Sequence, residues 1–202
     1  YAGGLLGTLL KTIPTELIAL SSINLDLTLF IQGFYDAGTN SMQPDTVIVY
    51  LRNTSSPYNK IDSAVSVLSS SGQGTFSFQN ASNGENYYIQ VSHRNSIETW
   101  SAAGNIFTSS QLTYNFSTSA SRAFGNNMIQ VDASPIRFAI YNGDVNQDGI
   151  VEVTDMSMID NDALNLVSGY LSTDVNGDNF VDITDLAIAD NNVFYIVSRI
   201  IP

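Results

Sequence analysis

"GDVNQDGIVEVTD", residues 143–155, places four acidic side chains and two amides in one short stretch of a chain in which only 13% of residues are charged. The pattern returns thirty residues later as "TDVNGDNFVDITD", residues 173–185. Aligned at that period, residues 144–167 and 174–197 are two copies of one unit, which indicates a duplicated supersecondary structure. Neighbouring carboxylates repel one another, so each copy needs something that neutralises its charge.

Each acidic stretch has the spacing of a calcium-binding loop. Such a loop supplies oxygens from positions 1, 3 and 5, a backbone carbonyl at 7, often a water-mediated contact at 9, and a carboxylate at 12. In the first copy these positions are Asp144, Asn146, Asp148, Ile150, Glu152 and Asp155, and in the second they are Asp174, Asn176, Asp178, Phe180, Asp182 and Asp185. Oxygen ligands in this number favour Ca²⁺ over Mg²⁺. We therefore predict two bound Ca²⁺ ions, which would lower the net charge of residues 142–202 from −10 to about −6.

The residues between the ligands also fit a calcium loop. Position 6 needs a positive φ, which Gly149 adopts freely and Asn179 adopts more readily than most other residues. The apolar residues at position 8, Val151 and Val181, can anchor the loops on a core.

A helix is predicted after each loop, because apolar residues then recur at helical spacing. They are Met156, Ile159, Ala163 and Val167 in the first copy, and Leu186, Ala189, Val193 and Val197 in the second. A calcium loop followed by a helix, twice, with Asp at position 12 and no helix before the loop, resembles dockerin over roughly residues 143–199. Dockerins are duplicated calcium modules that bind cohesins in cellulosome-type assemblies.

The resemblance to dockerin implies which residues would bind a partner. In that family recognition uses loop positions 10 and 11 and helix residues one or two turns later. The matching residues are Val153, Thr154, Asp160, Asn161, Ile183, Thr184, Asp190 and Asn191. Thr at position 11 fits the family, whereas the Asp-Asn pairs replace the basic or apolar residues often found there. The Asp-Asn pairs are therefore also compatible with a capping role, with binding of a further ion, or with a partner other than a standard cohesin.

Residues 21–141 read as an antiparallel β-sandwich. Short β-branched or aromatic segments, mostly of period two, are separated by Gly, Asn, Ser and Pro clusters. The predicted strands are 25–35, 45–53, 64–70, 74–80, 86–94, 111–118, 127–132 and 136–142. The order "TVIVYLRN…GTFSFQNASNGENYYIQV" resembles a prealbumin-like sandwich over about fifty residues. A β-sandwich directly before such a calcium module resembles an X-module–dockerin pair.

Residues 1–20 form an apolar N-terminal arm with only Lys11 and Glu16 charged. The arm is too short and too rich in glycine to span a membrane. A free apolar tail in water would be a liability, so we expect it to dock. It packs on its own sandwich or inserts into a neighbouring copy. The expected organisation is thus an arm (1–20), a sandwich (21–141) and a dockerin-like domain (142–202).

Charge and composition narrow the class of partner. The net charge is −12, and residues 142–202 contain eleven acidic residues with Arg199 as their one basic residue. Such a surface repels nucleic acid and anionic membranes, so we expect no nucleic-acid partner and no membrane insertion. The chain has no cysteine, which excludes disulfides and thiolate chemistry. Much Ser, Thr, Asn and Tyr with little Lys favours an extracellular protein, secreted or at the cell surface. Three glycosylation sequons, at Asn53, Asn80 and Asn115, leave modification open.

No catalytic motif is found. The only histidine, His93, lies in "SHRNSIETWSAAG" with Arg94, Glu98 and Trp100, and no nucleophile elbow or second metal-type histidine accompanies it. We interpret this cluster as structural and the chain as non-catalytic. Trp100 with Tyr87 and Tyr88 leaves carbohydrate binding as a weaker alternative.

Two main hypotheses of function remain. The first is a calcium-stabilised structural protein whose copies assemble into a filament or surface layer through the arm and the acidic module. The second is a docking module of the X-module–dockerin type that binds a cohesin-like scaffold.

Overall fold

The computed structural model describes residues 22–202, so the predicted arm at 1–20 lies outside the described residues. Two 3₁₀ turns, Ala120–Arg122 and Phe124–Asn126, accompany the regular elements. The strands are β1 (Ile23–Thr28), β2 (Tyr35–Asp36), β3 (Ser41–Met42), β4 (Asp45–Asn53), β5 (Lys60–Leu68), β6 (Gln73–Phe78), β7 (Asn86–Ser92), β8 (Thr99–Trp100), β9 (Asn105–Ile106), β10 (Gln111–Asn115), β11 (Ile129–Ala133) and β12 (Ile136–Ala139). The helices are α1 (Val153–Leu164) and α2 (Ile183–Phe194).

The predicted β-sandwich is confirmed, with the two helices near the C-terminal end. One sheet has the order β10-β1-β6, and the other has the order β5-β4-β7-β8 with β9 also paired to β7. The strands β2 and β3 form a hairpin, as do β11 and β12.

Buried and more exposed residues alternate along the central strands, and this alternation determines which face of each sheet packs inward. In β4 the residues Val47, Val49 and Leu51 are fully buried, and their neighbours along the strand are partly exposed. In β1 the same period buries Leu25 and Leu27. Since alternate side chains point to opposite faces of a sheet, each strand turns one face inward. These inward faces form one continuous hydrophobic core.

Two features of β1 differ from the prediction. The strand expected at 25–35 ends at Thr28, and Leu29 and Phe30 stay buried without extending the ladder. In addition, β1 pairs with β10 in parallel, whereas the sequence predicted antiparallel pairing throughout. Parallel neighbours need a long crossover connection. Here that connection runs through the whole second sheet, so no local pattern marks it.

The two helices belong to a second hydrophobic cluster, in the C-terminal unit (residues 142–202). Ile159 of α1 and Ala189 of α2 are fully buried there, with Val151 and Val181 from the loops before each helix. Ile97, from the connection between β7 and β8, enters the same cluster and is fully buried. The sandwich therefore contributes a side chain to the core of the C-terminal unit. Neither helix within residues 22–202 is long and apolar enough to cross a membrane.

The duplicated halves of the C-terminal unit pair with each other. The Val151 N–H of the first loop donates to the Val197 carbonyl after α2, at 2.9 Å. The Val181 N–H of the second loop donates to the Val167 carbonyl after α1, at 3.0 Å. Each loop is thus hydrogen-bonded to the segment that follows the other half's helix.

Candidate functional site

The first acidic loop wraps around the carboxylate of Asp144. This carboxylate is buried and accepts hydrogen bonds from the backbone N–H groups of Asp148 and Gly149, both at 3.1 Å. Asn146 donates to the Asp148 carboxylate at 2.9 Å, which brings positions 3 and 5 together. Gly149 has φ +96°, so the positive φ predicted for position 6 is confirmed. The side chains at positions 1, 3 and 5 therefore lie side by side.

The second loop repeats this arrangement. The buried Asp174 carboxylate accepts from the backbone N–H groups of Gly177 at 2.8 Å and of Asp178 and Asn179 at 3.2 Å each. Asn176 donates to the Asp178 carboxylate at 3.1 Å. Asn179 has φ +69°, as expected for position 6.

The aspartate at position 12 closes each loop onto its beginning. Asp155 accepts from the N–H of Val145 through Oδ1 at 2.9 Å and from that of Glu152 through Oδ2 at 2.9 Å. Asp185 does the same for Val175 at 2.7 Å and Asp182 at 2.9 Å. Both aspartates are fully buried in the first turn of their helices. A carboxylate at this place is favoured by the helix dipole and joins loop to helix.

The electrostatics of these aspartates favour a bound cation. Burial and the nearby negative charges of Asp155 and Asp148 raise the pKa of Asp144 to about 6. Burial likewise raises the pKa values of Asp155, Asp174 and Asp185. Removing a carboxylate from water disfavours its ionised form, and adjacent like charge adds to that effect. A divalent cation would reverse both, because it pairs directly with the ionised oxygens.

The remaining predicted ligands lie around these aspartates. Ile150 and Phe180 at position 7 have hydrocarbon side chains, so only their backbone carbonyls are ligand candidates. Glu152 and Asp182 at position 9 are the N-caps of α1 and α2. Within residues 22–202 no three His, Cys, Asp or Glu side chains are gathered closely enough to hold a metal by themselves. An oxygen cage in either loop would therefore also use the Asn at position 3 and the carbonyl at position 7, and such an all-oxygen donor set would fit Ca²⁺.

A second candidate surface covers the helices. All eight predicted partner-binding residues, at 153, 154, 160, 161, 183, 184, 190 and 191, are exposed. Val153 and Ile183, the first residues of α1 and α2, are 68% and 77% exposed. Two shallow grooves of about 200 and 270 Å³ lie between the helices, and Asp160 and Leu186 line both. Leu164 and Phe194 at the helix ends are also largely exposed.

The His93 cluster lies where the sandwich meets the C-terminal unit. His93 is buried, with Nδ1 at 2.8 Å from Ser96 Oγ and Nε2 at 3.3 Å from the Asp45 carboxylate. The Tyr170 hydroxyl, from the C-terminal unit, donates to the same Asp45 carboxylate at 2.6 Å. Since His93 and Ser96 are both buried, neither is open to a substrate, and the arrangement joins two parts of the fold.

Trp100 does not offer a stacking face for sugars. It is 5% exposed, and its Nε1 donates to Glu98 at 2.6 Å. The rings of Tyr58 and Tyr88 pack edge-on against it. The carbohydrate alternative therefore loses the residue on which it mainly rested.

Sequence reasoning missed the contact between the sandwich and the second loop. Arg94 and Asn95 of the sandwich both donate to the Asp174 backbone carbonyl, at 3.1 and 2.7 Å. Asn142 donates to the Val175 carbonyl at 2.5 Å. About eighty residues separate Arg94 from Asp174, and no spacing rule connects side chains so far apart in sequence.

Comparison with known families agrees with this geometry. Residues 142–194 match the family model of the dockerin type I domain. The C-terminal unit is a dockerin-like module. Dockerin domains bind calcium, and the two loops of the dockerin-like module are where the ligand pattern lies. No curated protein matches the chain.

Two solved chains are similar to most of this chain. Both come from type II cohesin–X–dockerin complexes of Acetivibrio cellulolyticus, one a C-terminal and one an N-terminal interface mutant. The first is 13% identical with a TM-score of 0.48, covering 84% of this chain and 94% of that one. The second is 14% identical with a TM-score of 0.44, covering 85% and 92%. Since both TM-scores are below 0.5, the match of the dockerin-like module is the stronger observation.

Proposed function

We propose that this chain is a non-catalytic docking protein. Its dockerin-like module binds two Ca²⁺ ions, one in each loop, and uses the exposed faces of α1 and α2 to bind a cohesin-like scaffold protein. The sandwich supports the module as an X-module does. Because such assemblies form outside the cell, we place the protein there, secreted or at the cell surface.

One observation carries this proposal. The eight positions that dockerins use for recognition are all exposed on α1 and α2, above loops whose central aspartates are buried. Exposed Val153 and Ile183 have no structural need to be apolar, since each begins its helix on the solvent side. Exposed apolar side chains grouped on one surface are typical of protein-binding sites. The family match of residues 142–194 supports the same conclusion.

The charge of the dockerin-like module indicates the chemistry of the partner. Asp160 and Asp190 stand on the exposed face, and Arg199 is the only basic residue among residues 142–202. The complementary surface should be apolar at its centre and basic around it, since like charges across an interface are costly. We therefore expect a cohesin whose dockerin-binding face carries Lys or Arg.

Self-assembly into a filament stays a prediction. It depends on residues 1–20, which lie outside the described residues, whereas the docking hypothesis rests on surfaces that the structure describes. Docking is therefore the better supported of the two.

The test is calorimetric binding of the full chain to a panel of type I and type II cohesins. We expect a one-to-one complex with at least one cohesin in millimolar calcium, and no complex after EDTA. If no cohesin in the panel binds in calcium, the docking function is wrong. Polymers that grow with concentration in the absence of any cohesin would favour self-assembly instead.

A further inference from the structure

The two calcium loops differ in what surrounds them, although their sequences repeat. Arg94, in the connection between β7 and β8, reaches the beginning of the second loop. Its Nη1 donates to the backbone carbonyls of Leu171 and Asp174, and its Nη2 lies 3.5 Å from the Asp174 carboxylate. Its Nε donates to the Asp45 carboxylate at 3.1 Å, which ties the same side chain to the sandwich.

The Arg94 side chain is held in one orientation. Its guanidinium lies 4.3 Å from the centre of the Tyr170 ring and 5.3 Å from that of Phe34. A planar guanidinium that stacks on aromatic rings while its N–H groups are bonded loses little further freedom when it fixes a neighbour. Arg94 therefore acts as a rigid bracket between the sandwich and the main chain at Asp174.

Two further contacts fix the second loop to the sandwich. Asn95 donates to the Asp174 carbonyl at 2.7 Å. A Cβ added at Gly177, at position 4, would lie 2.4 Å from the Phe34 ring, which shows how closely the loop approaches the sandwich.

The first loop has no equivalent bracket among the described residues. The Asp144 carbonyl accepts from Gln147 of its own loop at 2.7 Å. Among the described residues, the hydrogen bonds from the first loop and its preceding residue to the sandwich are those that the Gln147 amide and the Gly143 N–H donate to the carbonyls of Ser96 and Asn95. No side chain of residues 22–141 donates to Asp144, so the first loop is organised mainly within the dockerin-like module.

We propose that Arg94 is a positioning residue for the second calcium loop, so that calcium binding there, and not in the first loop, depends on the sandwich. This inference rests on the proposed function, because it assumes that both loops bind Ca²⁺. Groups that orient the ligands of a metal typically change its affinity about 10- to 100-fold. Linkage is reciprocal, so calcium in the second loop also tightens the contact between sandwich and module.

The positive charge of Arg94, taken alone, would weaken calcium binding in the second loop. A guanidinium near Asp174 repels Ca²⁺, so its removal would tighten the site if repulsion dominated. Arg94 is also bonded directly to the main chain, through the carbonyls of Leu171 and Asp174, while its Nη2 lies 3.5 Å from the Asp174 carboxylate. The positioning effect must be larger than the repulsion for the inference to hold, and the direction of the change in calcium affinity in Arg94→Gln decides between them.

The test is calcium titration of the full chain by calorimetry, with each loop isolated in turn. Asp144→Ala leaves the second loop and Asp174→Ala leaves the first. We expect Arg94→Gln to weaken calcium binding about tenfold when only the second loop remains, and to leave it unchanged when only the first remains. Arg94→Lys should also weaken the second loop, because an ammonium keeps the charge but lacks the planar fork.

Asn95→Ala keeps the test open if Arg94→Gln does not fold. It removes the other side-chain donor to the Asp174 backbone carbonyl and should weaken calcium binding in the same loop. Equal weakening of both loops, no change in either, or tighter binding in Arg94→Gln would overturn the inference and leave the proposed function intact. A wild-type chain that binds no calcium would overturn both.

Discussion

Asp185 accepts a hydrogen bond at 2.7 Å from the backbone N–H of Val175, ten residues earlier, and so joins the end of the second loop to its beginning. Asp155 and Val145 repeat the contact at 2.9 Å in the first loop. In each half, the carboxylate at position 12 thus closes the loop, lies in the first turn of the helix and occupies the last predicted ligand position. We therefore expect loop formation, helix formation and calcium binding to be coupled.

Removing that carboxylate should affect calcium binding and helix content at once. Asp185→Ala deletes the acceptor of three backbone N–H groups, those of Val175, Asn176 and Asp182. Bonds to a charged group contribute roughly 1.5–3 kcal/mol each. We expect a loss of at least about 3 kcal/mol in unfolding free energy and of one calcium ion. Urea unfolding and calorimetry measure the two effects. Asp160→Ala, an exposed acid on α1, is the control and should alter neither.

Charged substitutions on the proposed docking surface of α1 and α2 should weaken partner binding and leave the stability of the fold unchanged. Val153→Asp with Ile183→Asp replaces two exposed apolar residues of α1 and α2. Burying a residue of this size in an interface is worth about 1.5–3 kcal/mol, so we expect cohesin affinity to fall at least tenfold. Melting temperature and calcium stoichiometry should stay at wild-type values.

The matched control for the docking surface lies on the sandwich. Val65→Asp with Val67→Asp changes two valines of β5 that are 63% and 57% exposed, and it should leave cohesin binding intact. If the two double variants bind equally well, α1 and α2 are not the docking surface.

The contact between sandwich and module should be sensitive to one added methyl group. A Cβ at Gly33 would lie 2.8 Å from both the Val175 carbonyl oxygen and the Ile188 side chain. Gly84 has a similar φ, +82° against +84°, with nothing within 4 Å. Because the two φ values are similar, the difference between the melting temperatures of the two alanine variants reports mainly the clash. We expect Gly33→Ala to melt at least several degrees lower than Gly84→Ala. Equal melting temperatures would mean that the contact is loose in solution.

Stability should fall in mild acid because of His93. Burial lowers the pKa of His93 below its ordinary value of 6.5, although the Asp45 carboxylate beside it acts in the opposite sense. The unfolded chain therefore binds this proton more readily, so the contribution of His93 to the free energy of unfolding falls as pH drops below about 6.5. The raised pKa of Asp144 acts in the opposite sense in the metal-free chain, and the measurement is therefore made in excess calcium.

The pH effect can be assigned by substitution. His93→Gln should flatten the fall in melting temperature between pH 7 and pH 5, measured in excess calcium. Ser96→Ala, which removes the partner of Nδ1 and keeps the imidazole, should retain the fall. An unchanged slope in His93→Gln would assign the effect to other groups.

The parts of the molecule that sequence predicted well are local. These features depend on residues that are close together in sequence. They are the positive φ at Gly149 and Asn179, the burial of Val151 and Val181, and the helix after each loop. The predicted strand 45–53 has the same bounds as β4, because its alternation of buried and partly exposed residues is regular. Periodicity is a strong signal wherever one face of an element is buried.

The parts that sequence could not predict depend on distant pairing. The parallel pair of β1 and β10 joins segments more than eighty residues apart. The bracket of Arg94 on the second loop spans a similar separation. Likewise, the packing of Tyr58 and Tyr88 against Trp100 involves a residue about forty positions earlier in the chain, so the sequence around Trp100 does not reveal that its ring is covered. Only the assembled fold determines these contacts.

A calorimetric titration of the metal-free full chain with calcium tests the central claim most directly. The claim predicts two ions per chain, and a melting temperature that rises in saturating calcium, since a ligand at one hundred times its dissociation constant stabilises the folded state by about 2.7 kcal/mol. No binding heat, together with identical melting in EDTA and in millimolar calcium, would contradict it.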